Sequence, residues 1–387
     1  MQTDKFFDCF DELISQPKRF VLACHVNPDG DSIASMTAMS FFLKQKGHVV
    51  DMVCANAFPE FLSWMSGTHD ILIFEKEDEK CKTAIASAEC IIMLDFNTLS
   101  RSGILHNEIG KTKCPRVLVD HHREPELSNI YCYYSETCVS SASEIVAEII
   151  MHYGMDFINE SIATNLLVGM MTDTGCFSHS IYHPRTLELC AALVPYAIPY
   201  NLIHQRIYDS FSESRLRLLG YAIDKKMEIL KDYAVAIISL SKSELDSFNY
   251  QVGDTEGIVN FPLSIQNIKM SVLVTERQDQ IRLSFRSKGN FSVHELANKH
   301  FKGGGHTNAA GGNATTTMEE AIQKLKSILP EYEELRYEVY MVDIDSIAWS
   351  FFLWRLATTA SCGYQRCHEE QYGEGKPLSV ECRGGGN

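Results

Sequence analysis

The sequence has no long hydrophobic run. Its longest apolar stretches, such as residues 91–94 and 234–240, are far shorter than the roughly 20 residues needed to cross a bilayer, so we predict no transmembrane span. The first twenty residues mix charges of both signs with apolar residues at helical spacing, and they lack the basic start and continuous apolar segment of a secretory signal. We therefore expect a cytoplasmic protein that does not bind membranes.

Positive charge and paired cysteines are also scarce. The chain has 35 Lys and Arg against 50 Asp and Glu, and its formal net charge of −15 argues against a protein that coats long nucleic acid, including long duplex DNA. Any nucleic-acid substrate should therefore be short. The thirteen cysteines include no CxxC pair, so we expect reduced, partly buried thiols.

Three common catalytic signatures are missing. The sequence contains no Walker A segment, no GxSxG elbow and no strand-linked GxGxxG. P-loop nucleotide hydrolysis, serine hydrolase chemistry and dinucleotide redox chemistry therefore lose support.

Short apolar segments alternate with helical ones in the first third of the chain. This alternation predicts an α/β fold with a mostly parallel sheet flanked by helices. The predicted strands are residues 19–23, 49–54, 71–74, 91–94 and 117–119. Periodicity also predicts helices at residues 32–46, 58–65, 141–153, 158–171 and 184–196.

A length of 387 residues favours two domains. We place the first domain at residues 1–197, a helical connection at 198–226, and a smaller α/β domain at 227–342, with the active site in the cleft between the domains. The tail at residues 343–387 holds two of the three tryptophans and a glycine-rich end, and no role is assigned to it.

Polar residues suited to metal binding follow the first strand. In HVNPDGDS, residues 25–32, the strand end can aim His25, Asp29 and Asp31 into one cleft. These donors suit a divalent cation such as Mn²⁺. The same segment can be a polar turn whose aspartate caps the next helix, and by itself it does not decide between the two interpretations.

Three further segments add carboxylates and imidazoles, although each alone can be an ordinary turn. Asp95 ends a strand and can bridge two cations beside the first motif. Asp120, His121 and His122 follow another strand, where one histidine can bind metal while the other reaches substrate and the aspartate fixes a tautomer. Asp173 ends an apolar helix. Together the four segments match the ligand inventory of a dinuclear site that clamps a phosphoryl group and activates water.

The ordered motifs HxxxDxDS, strand-end Asp, DHH and DTG resemble the DHH phosphoesterase superfamily, and the later GGGH resembles its DHHA1 domain. The resemblance covers roughly residues 15–340. It implies two divalent ions, expected to be Mn²⁺ with Mg²⁺ or another divalent metal as the alternative. It also implies that His122, supported by Asp120, faces the substrate phosphate. The implied metal ligands are His25, Asp29 and Asp95 for one ion, and Asp31, Asp95, His121 and Asp173 for the other.

The second domain supplies candidate phosphate-binding groups. Arg286 ends a predicted strand, and its guanidinium can grip a phosphate through a bidentate fork. In GGGHTNAAGG, Gly303, Gly304 and Gly305 let the backbone approach an anion, and His306 adds a side-chain donor. The alternative interpretation of this segment is a flexible loop before the last helix. Because the DHH motifs are also present, we interpret the segment as the edge of the cleft that faces the substrate.

Architecture separates the branches of this superfamily. The chain resembles the compact NrnA-type group more than the longer exonucleases, the pyrophosphatases without GGGH or the membrane-bound phosphodiesterases. This implies hydrolysis of very short RNA and of 3′-phosphoadenosine-5′-phosphate. A soluble phosphodiesterase for pApA or cyclic di-AMP shares every catalytic residue and stays open, as does a nucleotide-sensing binding protein. The resemblance alone suggests a homodimer.

Overall fold

Two six-stranded sheets organise the part of the chain that the computed structural model describes, which is residues 2–178, 184–277 and 280–336. The tail predicted at residues 343–387 lies outside this part. None of the described helices is both long enough and apolar enough to cross a bilayer.

The first sheet is parallel throughout. Its strands are β1 (Arg19–Ala23), β2 (Val49–Cys54), β3 (Ile71–Ile73), β4 (Cys90–Leu94), β5 (Arg116–Asp120) and β6 (Cys132–Ser135). They lie in the order β3-β2-β1-β4-β5-β6. The inner strands β1, β4 and β5 are almost wholly buried, as expected for a parallel sheet covered on both faces. The predicted α/β class is confirmed.

Helices cover both faces of this sheet. They are α1 (Gln2–Ile14), α2 (Gly30–Gln45), α3 (Phe74–Ala86), α4 (Leu105–Lys111), α5 (Ala142–Tyr153), α6 (Glu160–Asp173) and α7 (Arg185–Leu193). One face packs on α1, α2, α5 and α6 around Phe10, Phe20 and Phe42, and the other packs on α3 and α4 around Phe96. The sheet is therefore the middle of three layers.

The helix predicted at residues 58–65 is wrong. The structure has only a 3₁₀ turn, Glu60–Leu62, at this place. Pro59 precedes the turn, and Gly67 follows with a φ of 85° in the left-handed region, so the segment is too short between its two boundaries to extend into a helix. Strand β6 was not predicted because its sequence, CYYS, lacks a clear alternation.

Two helices, α8 (Tyr200–Tyr208) and α9 (Glu213–Lys225), lead to the second sheet. Its strands are β7 (Met227–Leu230), β8 (Val235–Leu240), β9 (Met270–Glu276), β10 (Ile281–Ser287), β11 (Gly304–Gly305) and β12 (Ala309–Ala314). Their order is β11-β12-β10-β9-β8-β7, and only β8 and β9 pair in parallel. The remaining helices are α10 (Lys242–Ser247), α11 (Val293–Phe301) and α12 (Met318–Ile328).

The glycine-rich segment is not a loop. Gly304–Gly305 and Ala309–Ala314 form the antiparallel pair β11 and β12. Neither strand was predicted, because glycine and alanine have low strand propensity. A Cβ on Gly303 would lie 1.9 Å from the carbonyl oxygen of Gly311, so close packing of the two chains requires glycine at this position.

Candidate active site

The predicted metal ligands of the first sheet lie at its carboxyl edge. Strand order reverses between β1 and β4, so the loops that follow these strands diverge and open a crevice, where α/β proteins bind ligands. Ala23 pairs with Met93, and Leu94 pairs with Val119, so the three strands end at nearly the same level. The loop with His25, the residue Asp95 and the DHH segment are therefore neighbours.

One group of donors contains His25, Asp29 and Asp95. Nε2 of His25 lies 3.7 Å from Asp29 Oδ2 and 3.3 Å from Asp95 Oδ2. The other ring nitrogen, Nδ1, lies 2.9 Å from the carbonyl oxygen of Val26 and can donate to it, which would leave Nε2 free to bind a cation. Asp29 also caps α2 by accepting from the Ser32 N–H, so it is a helix cap and a candidate ligand at once.

A second group contains Asp31, His121 and Asp173. Nε2 of His121 lies 3.8 Å from Asp31 Oδ2 and 3.6 Å from Asp173 Oδ2. It also lies 3.3 Å from Asp95 Oδ1. Asp95 therefore turns one carboxylate oxygen towards each group, which is the placement expected of a bridging ligand.

Asp31 is held by a helix that begins more than a hundred residues later. Its two oxygens accept from the N–H groups of Ala142, at 2.6 Å, and Ser143, at 2.9 Å, in the first turn of α5. Such amides have no partner within the helix and carry its positive end. The N-terminus of α5 therefore orients a buried carboxylate towards His121.

Asp173 reaches the site because α6 packs unusually close to α2. A Cβ on Gly30, the first residue of α2, would lie 2.3 Å from Thr172 Oγ1, next to Asp173 at the end of α6. The absence of a side chain at residue 30 thus allows the end of α6 to approach the loop of the first motif.

Asp95 has a φ of 64°, in the left-handed region that residues other than glycine seldom adopt. Its N–H still donates to the carbonyl oxygen of Val119, at 3.0 Å, and so continues the pairing of β4 with β5. Backbone strain of this kind persists where the surrounding structure enforces it, commonly at functional sites. Here it turns a buried carboxylate out of the strand and between the two donor groups.

Asp120 is hydrogen-bonded to His122, and these two residues form a further cluster with Asp95 whose donor atoms lie within 4.8 Å of one another. Asp120 Oδ1 lies 2.7 Å from Nδ1 of His122, and Asp120 Oδ2 accepts from the His122 N–H at 3.1 Å. An Nδ1–H that donates to this carboxylate leaves Nε2 of His122 without a hydrogen. The two neighbouring histidines therefore diverge, with His121 among the carboxylates and His122 held by its own aspartate.

The pKa shifts show how crowded the carboxylates are. Burial and the nearby Asp95 and Asp173 charges raise the pKa of Asp31 well above its usual range, and burial raises the pKa of Asp173 to about 7. Burial alone would lower the pKa of His121, but the surrounding carboxylates outweigh it and raise this pKa to about 10. Without a metal, protons take the place of cations at these groups.

This charge distribution fits a pair of divalent ions. Four clustered carboxylates with two histidines offer the oxygen and nitrogen donors that Mn²⁺ or Mg²⁺ accepts, and two such ions would offset the four negative charges. The donor atoms within each group lie within 4.8 Å of one another. The residues present therefore fit the metals that the sequence suggests.

The second sheet brings His306 against the DHH segment. Its ring centroid lies 4.6 Å from that of His121 and 4.6 Å from that of His122. Burial, together with the two neighbouring histidines, holds the pKa of His306 well below its usual range, so the ring is neutral near pH 7. Nearby, Arg123 Nη2 donates to Thr307 Oγ1 at 2.7 Å and joins the DHH segment directly to the GGGHT turn.

Arg286 is half-buried on β10 and lies near enough to Asp173 for the two charges to interact. The glycines beside His306 have a structural reason of their own. Gly305 has a φ of 148°, and a Cβ there would lie 2.4 Å from the carbonyl oxygen of Ala309. Strand pairing therefore accounts for Gly303 and Gly305, whereas a Cβ on Gly304 would make only an ordinary contact with the His294 ring, at 3.6 Å.

Two residues near the site were not singled out from sequence. The Ser32 hydroxyl lies 2.6 Å from His25 Nε2 and 2.7 Å from Asp95 Oδ2. Arg101 is half-buried, and it lies beside the first motif because its carbonyl oxygen accepts from the Val26 N–H at 2.8 Å. The charge of its side chain contributes to the lowered pKa of His122 and of His306. The position of Arg101 shortly after Asp95 in NTLSRSG was the available signal.

Two family models match the chain. The N-terminal domain of the DHH family matches residues 19–170, and the DHHA1 domain matches residues 231–332. A solved exopolyphosphatase-related protein from Bacteroides fragilis is 37% identical with a TM-score of 0.80, and the match covers 85% of this chain and 96% of that one.

Curated relatives are more distant in sequence. The bifunctional oligoribonuclease and PAP phosphatase NrnA of Bacillus subtilis is 23% identical over 327 residues, which cover 83% of this chain and 97% of that protein. The cyclic-di-AMP phosphodiesterase GdpP of Bacillus subtilis is 29% identical over 225 residues, which cover 56% of this chain and 33% of that protein.

Proposed function

The chain belongs to the DHH phosphoesterase family and carries a DHHA1 domain, and from this membership we propose that it hydrolyses short oligoribonucleotides and 3′-phosphoadenosine-5′-phosphate with two divalent metal ions. The observation that carries the proposal is the position of Asp95, between a donor group with His25 and another with His121. The similarity to NrnA over most of both chains supports these substrates.

His25, Asp29 and Asp95 would hold one ion, and Asp31, Asp95, His121 and Asp173 would hold the other. We propose Mn²⁺, with Mg²⁺ as the alternative. Bound in this way, the ions would polarise the phosphoryl group and lower the pKa of water.

The protein's own groups would position the substrate and move the proton. The Asp120 carboxylate holds Nδ1 of His122, so Nε2 is the atom that can exchange a proton with the substrate or the leaving group. Arg286 can grip the scissile phosphate through its guanidinium. The ring of His306 would contact the same phosphate from the second domain. The N–H groups of Gly303 and Gly305 donate to the Ala297 carbonyl oxygen at 3.2 Å and to Nδ1 of His294 at 3.1 Å, so these glycines would shape the approach of the phosphate without binding it through their amides.

The similarity to GdpP favours a second candidate substrate, the dinucleotide pApA or cyclic di-AMP. The proposed catalytic residues are the same, because both reactions hydrolyse a phosphoester of an adenine nucleotide. The cytoplasmic location, the homodimer and the domain limits at residues 197, 226 and 342 are further parts of the proposal.

The proposal is tested by measuring phosphate and mononucleotide release with added Mn²⁺. The substrates are 3′-phosphoadenosine-5′-phosphate, pApA, cyclic di-AMP, a five-nucleotide RNA and pyrophosphate. The intact protein is compared with Asp95→Asn and with Asp246→Asn, which changes an exposed aspartate on α10. We expect release from 3′-phosphoadenosine-5′-phosphate and the RNA, lost in Asp95→Asn and unchanged in Asp246→Asn.

The substrate pattern separates the alternatives. Rapid turnover of pApA or cyclic di-AMP with slow turnover of the other substrates would transfer the assignment to the phosphodiesterase. Turnover of pyrophosphate alone would contradict both candidates. Tight nucleotide binding without any metal-dependent turnover would favour the nucleotide-sensing protein.

A further inference from the structure

Glu144 is a buried carboxylate outside the two donor groups, and no step of the proposed reaction uses it. It is the third residue of α5 and is fully buried. Its Oε2 accepts from the N–H of Ser140 at 2.9 Å, from the Ser140 hydroxyl at 2.6 Å and from the Thr186 hydroxyl at 2.8 Å. Its Oε1 has no hydrogen-bond partner among the described residues. All three donors are neutral, and burying a carboxylate among neutral groups costs free energy, which points to a role beyond packing.

The bonds from Ser140 fix the start of α5. In a standard capping box, the glutamate at the third helical position accepts from the N–H of the N-cap residue. In α5 the hydroxyl of the N-cap, Ser141, accepts from the Glu144 N–H at 3.1 Å, but the Glu144 carboxylate accepts from Ser140, one residue earlier. The first turn is therefore bound to two successive residues of the chain that enters it. The two N–H groups between Ser141 and Glu144 are the ones that donate to Asp31.

The bond from Thr186 joins α5 to α7. Thr186 is the second residue of α7, and its hydroxyl is buried against Glu144. Further along α7, the Cys190 thiol lies 3.7 Å from the sulfur of Met170, in the last turn of α6. Asp173 ends that turn. Through one oxygen, Glu144 therefore connects the start of α5 with a helix that packs near the end of α6.

These connections reach one of the two donor groups. Asp31 and Asp173 belong to the group with His121. Asp31 is held by the start of α5, and Asp173 stands at the end of α6. The other group, with His25 and Asp29, is supported by hydrogen bonds within the first motif. Loosening the first turn of α5 should therefore weaken one ion site and spare the other.

We propose that Glu144 is a positioning residue for one divalent ion, the one that the donor group of His121 would hold. Its own hydrogen bonds go to none of the proposed ligands, and it acts through the α5 amides that orient Asp31. This inference rests on the proposed function, because it requires two divalent ions. A glutamine would not replace the carboxylate, because its amide NH₂ would be buried at the place of Oε1 without an acceptor.

Titration of the metal-free protein with Mn²⁺, followed by electron paramagnetic resonance of the free ion, tests the proposal without substrate. We expect the intact protein to bind two Mn²⁺ ions. Glu144→Gln should weaken the affinity for one of them by about ten- to a hundredfold, the usual cost of losing a group that orients a ligand, and change the other by less than about threefold. When Glu144→Gln is combined with Asp173→Asn, the spared ion should still bind with the affinity of the intact protein.

Glu148→Gln is the matched control. Glu148 lies one turn later on α5 and also binds the start of α7, because Arg185 Nε donates to it at 2.9 Å. It makes no bond to the first turn of α5 among the described residues. Since the pair with Arg185 is partly exposed, both Mn²⁺ affinities should change by less than about twofold.

Steady-state kinetics separate positioning from a general loosening of the fold. On 3′-phosphoadenosine-5′-phosphate, Glu144→Gln should have a lower kcat at limiting Mn²⁺, and excess Mn²⁺ should restore it. The KM for the nucleotide should stay within about twofold of its value in the intact protein. A general loosening would instead weaken both ions and raise this KM.

Equal weakening of both ions in Glu144→Gln would overturn the proposal, because Glu144 would then support the whole fold. Unchanged affinity for both ions would overturn it as well. If Glu144→Gln does not fold, Thr186→Val provides the test. This variant removes one of the three donors and should weaken the same single ion by about two- to tenfold. An unchanged titration of Thr186→Val would then overturn the proposal.

The titration also separates this proposal from the proposed function. If Glu144→Gln weakens one of two Mn²⁺ ions but the intact protein hydrolyses no nucleotide, the proposed function fails while the role of Glu144 stands. If the intact protein hydrolyses the nucleotides but Glu144→Gln binds both ions as tightly, the role of Glu144 fails alone. Binding of fewer than two ions by the intact protein would overturn both.

Discussion

The first sheet contributes side chains from beyond its strand ends, whereas the second contributes side chains from within a strand. At the first sheet, Asp95 and His121 follow β4 and β5 and are buried among other acids and histidines. At the second, Arg282 and Arg286 alternate with the buried residues of β10. The first arrangement concentrates ligands at one point, and the second spaces cations along a line.

This difference indicates a division of labour. Convergence of carboxylates suits metal binding, where several donors must meet at one atom. Arg282 and Arg286 are four residues apart on one strand, about 13 Å, so they suit an anion whose negative charges are spread over a comparable length. The two sheets should therefore respond differently to substitution, the first mainly in kcat and the second mainly in KM.

The largest loss of activity should come from Asp95→Asn at the first sheet, and Arg286→Gln at the second sheet is its comparison. We expect kcat to fall by about a thousandfold or more in Asp95→Asn, because the amide removes the charge that both donor groups share. Arg286→Gln should lower kcat/KM by about ten- to a hundredfold, mostly through KM. Steady-state kinetics on 3′-phosphoadenosine-5′-phosphate measure both. An equal effect on kcat in the two variants would remove the division between the sheets.

Asp120→Asn should come next. The variant keeps the size of the side chain but loses the carboxylate that holds Nδ1 of His122, so kcat should fall by about ten- to a hundredfold. Metal content, measured by elemental analysis, should stay the same because Asp120 is not among the proposed ligands. Asp246→Asn serves as the control. An unchanged kcat would show that the orientation of His122 does not matter for turnover.

The first sheet should also show a pH-dependent response to metal. In the metal-free protein the folded-state pKa of Asp173 is raised to about 7 and that of His121 to about 10. A raised pKa stabilises the folded protein at pH values below the pKa of the same group in the unfolded chain. This stabilisation is lost as the pH rises, from about 4 to 7 for Asp173 and from about 6.5 to 10 for His121.

Metal binding must displace these protons, so it is favoured at higher pH. The rise in Tm on adding saturating Mn²⁺ should therefore be greater at pH 8 than at pH 6, by at least about 3 °C. Differential scanning fluorimetry measures it, and Asp95→Asn should show a much smaller rise at both values. A rise in Tm that is equal at the two pH values, or greater at pH 6, would contradict the binding of protons by Asp173 and His121 in the metal-free protein.

The smallest effect should come from the direct bond between the two halves of the site. Thr307→Val removes the hydroxyl that accepts from Arg123 and keeps the shape of the side chain. Because the pair is exposed, we expect kcat/KM to change by less than about threefold. Steady-state kinetics again provide the measurement. A tenfold loss would mean that this one bond keeps His306 against the DHH histidines.

Much of the fold was predictable because local patterns agree with it. Strand β2 has the predicted bounds, and helix α5 begins one residue after its predicted start and ends at its predicted end, because the apolar pattern is strong in both. Strand β12 was missed because AAGGNA has no such pattern, and only pairing with β10 makes it a strand. Residues 60–62 form a 3₁₀ turn where a helix was predicted. Helical periodicity does not show how many residues are available between the boundaries of a segment, here Pro59 and Gly67.

The sequence by itself determined which groups stand at the strand ends. His25, Asp95 and His121 each lie within two residues of the end of a short apolar strand, and the parallel arrangement of such strands brings their ends to one edge. The order of the motifs was likewise enough to suggest the family. These conclusions depend on short-range patterns, which can be recognised in a few consecutive residues.

Only the tertiary structure decided how those groups are oriented and what faces them. Asp31 is held by amides of α5, 111 and 112 residues away in sequence, and Thr307 meets Arg123 across 184 residues. Contacts of this kind arise from the packing of segments that are distant in sequence, and no local sequence pattern shows which distant segment will pack against a given residue.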